Sequence, residues 1–319
     1  MKQRLVIIGG NGFIGLNAAL LFGKYYEVSI IDKKPLPDVL KITNNTYLLN
    51  IRNKEQLQNI LLEIDPHYVL NLAAQSIVSV CLECPEDAYL DNVLGNLNVL
   101  TTCLFLQNKE GSAFRRLLVH TSDKAYGEHS ESEMPFREGY PYYSGDIYST
   151  SKAAQDMMTL ALSRSKGLKA CVVRSGNIYG PGDLQFTRLI PRNMKRLLQR
   201  RPPVLYDNSE SMIRDFVYID DLLFAYRLIL VKGGAGEAYN VGGSGPARVG
   251  DVVQIMKEVT GCEELSNEII SREFDEFKTQ YLDCTKIKRL GWESKTSLRK
   301  GIAQSVEFYR DYLSNQKRG

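Results

Sequence analysis

Short apolar runs alternate with longer amphipathic stretches over the first two thirds of the chain. Apolar runs of strand length occupy residues 5–8, 28–31, 68–72, 117–120 and 170–173, and stretches with helical spacing of apolar residues occupy 13–22, 54–64, 89–106 and 148–162. Strands that are apolar on both faces and are separated by helices are typical of a parallel sheet covered on both sides. The pattern predicts an α/β fold with a doubly wound parallel sheet.

The alternation loosens after Arg174, where prolines and glycines cluster and the predicted helices become short, except for one over 298–313. We interpret residues 1–174, with about 215–241 returning to them, as the sheet domain. Residues 175–214 and 242–319 are predicted to form a smaller mixed α/β cap.

Charge and composition exclude several classes of protein. Among 319 residues, 40 basic and 37 acidic side chains give a net charge of +3, too small for a protein that binds nucleic acid through charge. No apolar run reaches the roughly 18–20 residues of a membrane span. The first apolar run, 5–8, is also shorter than the about 7–15 residues of a secretion signal, so it is predicted to be a strand.

The cysteines and histidines indicate neither disulfides nor a metal site. Six cysteines in a large chain without a secretion signal are expected to be reduced thiols in a cytoplasmic protein. Three scattered histidines, His67, His120 and His129, do not favour a metal centre, and no metal is expected.

A glycine-rich turn follows the first predicted strand. Gly10, Gly12 and Gly15 have the spacing of a dinucleotide-binding loop: the first makes the tight turn, the second lets the backbone approach a pyrophosphate, and the third lets helix and strand pack closely. The helix N-terminus then offers N–H groups to phosphates. The candidate cofactor contacts in this loop are Gly10, Asn11, Gly12, Phe13, Ile14 and Gly15.

Asp32 ends the second predicted strand and favours NAD over NADP. A carboxylate at this position accepts both ribose hydroxyls and repels a 2′-phosphate. Lys33 and Lys34 could partly offset that repulsion.

Two polar groupings suggest catalysis. Tyr148 and Lys152 are four residues apart at the start of a predicted helix, so a phenol and an ammonium can face one cleft, where the ammonium and a nicotinamide cation would lower the pKa of the phenol. Ser122, Asp123 and Lys124 follow the strand over 117–120, and ligands bind at the carboxyl ends of parallel strands. The alternative for this second grouping is a polar turn that only caps the next segment.

In these motifs the chain resembles the extended short-chain dehydrogenase/reductases that act on nucleotide sugars. The resemblance runs almost end to end and also rests on Asn71-Leu-Ala-Ala-Gln75, Asn92-Val-Leu-Gly95, Arg174-Ser-Gly-Asn177, Arg214-Asp-Phe-Val-Tyr-Ile-Asp220 and Leu290-Gly-Trp292. It implies a Rossmann domain, NAD as cofactor and a nucleoside diphosphate-sugar as substrate. The further cofactor contacts it implies are Asn50, Ile51, Leu72, Ala73 and Ala74, besides Tyr148 and Lys152.

The resemblance also assigns roles. Ser122 would hydrogen-bond the sugar O4, Tyr148 would remove its proton, and Lys152 would bind the nicotinamide ribose and tune Tyr148. Asp123 and Lys124 resemble the pair of dehydratases similar to CDP-glucose 4,6-dehydratase. There Asp123 would protonate the departing C6 hydroxyl, and Lys124 would take the C5 proton.

The implied reaction is an NAD-dependent 4,6-dehydration: oxidation at C4, elimination of water across C5 and C6, and hydride return to C6, giving a 4-keto-6-deoxyhexose. Departures keep alternatives open. The segment 214–218 is closer to epimerases and dTDP-glucose dehydratases, and Asn50 stands where many relatives have aspartate facing the adenine. Lys124 could instead be a structural cation. The alternatives are a nucleotide-sugar 4-epimerase similar to UDP-glucose 4-epimerase, or a non-catalytic dinucleotide sensor, which the presence of both Tyr148 and Lys152 disfavours.

Substrate contacts and assembly complete the expectations. Arg214 is the first candidate for binding the diphosphate, because one guanidinium can donate two parallel hydrogen bonds to two phosphate oxygens. Gln75, Asn177 and Arg188 are further candidates for substrate contacts. Tyr126 is expected either beside the nicotinamide or sugar, or in the core.

The resemblance implies a homodimer formed by pairing two helices from each chain, here residues 91–106 and 151–163. Candidate outward positions are Val99, Leu100, Met157 and Leu160, which would also suit burial within one chain.

Overall fold

The computed structural model describes residues 2–35, 45–271 and 277–316. Each apolar run predicted as a strand is one. The strands in chain order are β1 (Arg4–Ile8), β2 (Glu27–Asp32), β3 (Thr46–Leu48), β4 (Tyr68–Asn71), β5 (Arg116–Ser122), β6 (Ala170–Ser175), β7 (Asn177–Tyr179), β8 (Val204–Tyr206), β9 (Ile213–Tyr218), β10 (Glu237–Val241), β11 (Pro246–Arg248), β12 (Glu268–Ile270) and β13 (Thr279–Gln280).

The predicted helices over 13–22 and 54–64 are found with these bounds, and those over 148–162 and 298–313 lie within longer helices. The helices are α1 (Phe13–Phe22), α2 (Lys54–Ile64), α3 (Val78–Glu83), α4 (Pro85–Tyr89), α5 (Gly95–Asn108), α6 (Ile147–Lys166), α7 (Leu189–Leu198), α8 (Ile219–Lys232), α9 (Val249–Thr260), α10 (Thr285–Lys288) and α11 (Leu298–Gln316). None of those within the described ranges is both long and apolar enough to cross a membrane.

In the described part of the chain, seven parallel strands form one sheet in the order β10-β6-β5-β4-β1-β2-β3. Alternate residues of β1 belong to different hydrophobic clusters: Leu5 and Ile7 pack on one face, and Val6 and Ile8 on the other. Burial on both faces explains the continuous apolar run, and the α/β doubly wound prediction is confirmed. The strand order reverses between β1 and β4, and such a switch point places a ligand cleft at the carboxyl ends of the strands.

Two smaller sheets lie outside the large one among the residues that are described. β7, β11 and β13 all pair with β9, and β12 pairs with β8. The chain returns to the large sheet through α8, which packs against β5, and β10, which forms the sheet edge. The return therefore begins at Ile219, whereas residues 215–218 lie in β9 of the second sheet. The division into a sheet domain and a cap remains a proposal.

The single helix predicted over 89–106 is interrupted. α4 ends at Tyr89, a π-helical turn spans Leu90–Leu94, and α5 begins at Gly95. The wider turn places Asp91 and Asn92 in buried positions, where Asn92 Oδ1 accepts from the Gln75 amide at 2.7 Å and its Nδ2 donates to Ser151 Oγ at 2.8 Å. Such π turns occur mostly at functional sites, and this one borders the cleft.

The outward positions predicted on the two long helices need correction. Val99 and Leu100 are fully buried and pack beneath the large sheet, and Leu160 is also buried, because these faces of α5 and α6 cover the chain's own core. Met157 is exposed, as predicted. The apolar side chains that face outward on α5 and the preceding turn are Leu94, Leu97 and Phe105.

Candidate active site

One cleft of about 1590 Å³ lies along the carboxyl ends of the large sheet and extends to the second sheet. It brings together nearly every predicted site residue. The residues on its wall that sequence analysis singled out are Asn11, Gly12, Phe13, Ile14, Gly15, Asp32, Asn50, Ile51, Leu72, Ala73, Ala74, Gln75, Ser122, Asp123, Lys124, Tyr148, Lys152, Asn177, Arg188 and Arg214.

Gly10 does not line the cleft. The structural roles of the glycines also differ from the predicted ones. Gly9, not Gly10, has the left-handed conformation of the turn, with φ +78°, and a Cβ there would lie 2.7 Å from the Ala73 amide nitrogen. Gly10 instead packs under β2, since its Cβ would lie 2.5 Å from Ile30 Cγ2. A Cβ on Gly15 would lie 2.5 Å from Gly10 Cα, so close packing of α1 against the turn requires glycine.

The loop fits a dinucleotide. A Cβ on Gly12 would have only the Gly9 carbonyl oxygen, at 3.5 Å, within 4 Å, so the space beside the N-terminus of α1 is open. Among the described residues, no side chain caps that N-terminus, which leaves N–H groups available to a phosphate. Asp32 ends β2 at the cleft; its Oδ2 accepts from the Asn11 amide at 2.9 Å and its Oδ1 from the Lys34 amide at 2.9 Å. These two bonds fix the carboxylate beside the glycine loop, where ribose hydroxyls would donate to it.

Ser122 both caps a turn and faces the cleft. It ends β5 and precedes a 3₁₀ helix, Asp123–Tyr126. Its Oγ accepts from the Lys124 amide at 3.2 Å and donates to Asp123 Oδ1 at 3.0 Å. Ser122–Lys124 can therefore both cap the next segment and belong to the site, because the cap holds all three polar side chains at the carboxyl end of β5.

The Asp123 carboxyl has a pKa close to physiological pH. Its residue is only 4% exposed, and burial raises its pKa to about 6, against the lowering influence of Lys124 and of the Ser122 hydrogen bond. A carboxyl group with this pKa can be protonated near physiological pH and can donate a proton. The Lys124 ammonium lies 4.8 Å from the centre of the Phe277 ring, a distance that suits a cation–π contact.

Tyr148 and Lys152 face the cleft from the first turns of α6, which Asp146 caps through the Ser149 amide. Burial raises the pKa of Tyr148 to about 12, and a hydrogen bond with Ser122 lowers it. Arg188 also lowers this pKa, and Lys152 Nζ lies 6.0 Å from the centre of the Tyr148 ring, so the expected influence of Lys152 stays a prediction. Burial lowers the pKa of Lys152 to about 8, and its Nζ donates to Gln155 Oε1 at 2.9 Å.

Three of the predicted substrate residues, Arg214, Arg188 and Asn177, have partners within the chain. Arg214 is buried and donates to the carbonyl oxygens of Ile213 at 2.8 Å and Lys278 at 3.1 Å. Arg188 pairs with Asp183 at 3.1 Å. Asn177 is exposed on β7, and its Nδ2 donates to the Asp215 carbonyl oxygen at 3.3 Å.

Sequence analysis missed a buried polar network behind the site. Arg174 donates to both carboxylate oxygens of Asp156, at 2.7 and 2.9 Å, and to the hydroxyls of Tyr126 and Tyr142, at 2.7 and 2.6 Å. Tyr126 is fully buried and stacks on Phe136, so its core interpretation is confirmed. The network ties α6 to β6 and to the 3₁₀ helix. No local pattern joins these residues, because they are far apart in sequence.

Comparisons with known proteins agree with this geometry. The family described as the NAD dependent epimerase/dehydratase family matches residues 5–242. A probable dTDP-glucose 4,6-dehydratase from Sinorhizobium fredii is 32% identical over 331 residues, which cover 96% of this chain and 93% of that protein.

Two solved structures have the same fold. UDP-glucose 4-epimerase from Thermotoga maritima, solved with UDP-glucose, is 27% identical with a TM-score of 0.88, and the match covers 98% of this chain and 100% of that chain. dTDP-glucose 4,6-dehydratase from Streptomyces venezuelae, solved with NAD and TYD bound, is 26% identical with a TM-score of 0.87, and the match covers 98% of each chain.

Proposed function

The chain belongs to the NAD dependent epimerase/dehydratase family, and within it we propose that this protein is a nucleotide-sugar 4,6-dehydratase that forms a nucleoside diphosphate 4-keto-6-deoxyhexose. NAD, the cofactor expected from Asp32 and the glycine loop, agrees with the family and with related structures solved with NAD bound. The observation that carries the choice of reaction is the buried Asp123 carboxyl beside Ser122 and Tyr148, since a 4-epimerase needs no further acid there.

The side chains of the cleft supply the proton transfers. NAD, held by the glycine loop and Asp32, would supply the acceptor and donor for the hydride exchanged with C4 and C6, and its positive ring would lower the pKa of a nearby phenol. Ser122 orients the sugar O4, and Tyr148 removes its proton. Lys124, as the neutral amine, removes the C5 proton, which a C4 ketone acidifies, while the protonated Asp123 carboxyl gives its proton to the C6 hydroxyl so that it leaves as water.

The substrate diphosphate would lie near the second sheet. Arg214 is the candidate cation there because it is buried in the cleft wall, and its guanidinium would exchange its bonds to the Ile213 and Lys278 carbonyl oxygens for phosphate oxygens. Asn177, Gln75 and Arg188 line the same cleft and are candidates for further substrate contacts.

A 4-epimerase is the second candidate, favoured by the similarity to the Thermotoga maritima enzyme. The two reactions separate at C6. We therefore incubate the protein with CDP-, dTDP-, GDP- and UDP-hexoses and follow the sugar by NMR. A new C6 methyl signal from one of them is expected. Recovery of the C4 epimer alone would contradict the dehydratase and support the epimerase.

The exposed apolar side chains on α5, α6 and the preceding turn support a homodimer. Leu94, Leu97, Phe105 and Met157 have exposed fractions of 38–55%, so these two helices and the turn present four large apolar side chains at the surface. Pairing this face with that of a second copy would bury these side chains in a four-helix arrangement.

Replacing Phe105 or Met157 by glutamate is expected to convert a dimer into a monomer, because a carboxylate buried against its symmetry mate would lack a cation. Sedimentation velocity measures the change. Val231→Glu, which alters an equally exposed apolar residue on α8, is the matched control and leaves the assembly unchanged. A monomeric unmodified protein, or dimers that survive both substitutions, would contradict this interface.

A further inference from the structure

Lys33 lies beside the site expected for the adenosine ribose, and one carboxylate holds it together with Arg52, which does not line the cleft. Lys33 directly follows Asp32, and its Nζ is 2.6 Å from Asp91 Oδ2. The Nε of Arg52 is 2.7 Å from the other oxygen, Asp91 Oδ1. Both oxygens of Asp91 are therefore engaged by positive charge.

The position of Asp91 is fixed by the turn on which it lies and by the burial of its side chain. It lies on the π-helical turn between α4 and α5, and its side chain is 10% exposed. It lines the same cleft as Asp32 and Lys33. Arg52 has a second partner, Asp87, at 2.8 Å, but that side chain is 66% exposed and does not line the cleft.

The two ion pairs of Asp91 affect how well a 2′-phosphate, the group that distinguishes NADP from NAD, can be bound. Proteins that bind NADP use a cation near the ribose to accommodate that phosphate, and Lys33 is in the right place to serve. To bind the phosphate, Lys33 would have to break its ion pair with Asp91. If Arg52 also moved away, the mostly buried Asp91 carboxylate would have no cation, which is strongly unfavourable. Asp32 repels the phosphate directly, and Asp91 withholds the charges that could offset the repulsion.

We propose that Asp91 is a specificity-determining residue, which selects NAD over NADP by holding Lys33 and Arg52 away from a 2′-phosphate. This inference rests on the proposed cofactor site but not on the proposed sugar chemistry. Its test measures bound dinucleotide without any sugar, so a failure of the dehydratase assay leaves it unaffected.

The purified protein, with any dinucleotide it carries, is incubated with equal concentrations of NAD and NADP until exchange is complete and is then desalted. Acid releases the retained dinucleotides, which chromatography quantifies. The unmodified protein is expected to retain NAD. In Asp91→Asn, the NADP-to-NAD ratio is expected to rise at least tenfold, and the gain should shrink at high salt because the freed cations are partly exposed.

Asp87→Asn is the matched control, since it removes a carboxylate from the same Arg52 and is expected to leave the ratio within twofold. Adding Lys33→Gln to Asp91→Asn is expected to remove most of the gain. If Asp91→Asn retains NAD with an unchanged ratio, the proposal is wrong. If that variant does not fold, Asp32→Ser decides: with Asp91 in place it should still retain less NADP than NAD, and an excess of NADP would overturn the proposal.

Discussion

Tyr148→Phe is expected to lower kcat by about 10³-fold or more and to abolish C4 oxidation, because phenylalanine cannot take the proton from the sugar O4. The hydroxyl lies in the cleft against Ser122, and the ring is held by the first turn of α6, so the change removes one oxygen and little packing. Stopped-flow absorbance of reduced cofactor reports the oxidation, and NMR reports the product. Both signals should be lost together.

The matched control is Tyr143→Phe, which removes the hydroxyl of an exposed tyrosine in the loop before α6. It should keep the activity of the unmodified protein. Turnover by Tyr148→Phe within tenfold of that activity, with unchanged thermal stability, would show that another group removes the O4 proton.

The sheet was predictable from sequence because burial on both faces leaves a continuous apolar run. β1 illustrates this, since its consecutive residues belong alternately to the two clusters that flank the sheet. The small sheets were not predictable in detail. β7, β11 and β13 have only two or three residues each, and their pairing with β9 joins segments far apart in the chain.

The site was predictable where its chemistry is local. The glycine loop, Ser122 to Lys124, and Tyr148 with Lys152 are each short patterns, and the structure brings them into one cleft. The contacts that join segments were not predictable. The π turn that places Asp91 between Lys33 and Arg52 contains neither proline nor glycine, and the glycine that follows it, Gly95, begins α5.

Asp123→Asn is expected to lower the rate of dehydration by about 10²–10³-fold while C4 oxidation remains measurable, because the amide keeps the shape of the carboxyl but cannot protonate the C6 hydroxyl. In the stopped-flow experiment, reduced cofactor should therefore accumulate while no C6 methyl signal appears. This outcome is the opposite of that for Tyr148→Phe, in which oxidation itself is lost. Undiminished dehydration would remove Asp123 from the role of acid.

The same substitution should change stability with a definite pH dependence. The folded-state pKa of Asp123, about 6, lies above the value of about 3.9 for an unfolded chain, so the carboxyl stabilises the fold below about pH 4 and loses this contribution as pH rises through 6. Asparagine does not titrate. Relative to the unmodified protein, Asp123→Asn should thus gain about 2–3 kcal/mol of unfolding free energy between pH 4 and 7.5, measured by urea denaturation.

Asp146→Asn is a useful comparison, because it alters a carboxylate that caps α6 through the Ser149 amide at 2.9 Å. Asparagine also caps helices well, so this variant keeps the cap of α6 while it replaces a carboxylate outside the Ser122–Asp123 pair. We expect Asp123→Asn to be slower than the unmodified protein but more stable at neutral pH. This result would mean that the burial that raises the pKa of the carboxyl also costs folding free energy. Equal pH dependence in the two variants would contradict the raised pKa and, with it, the physical basis for assigning the acid to Asp123.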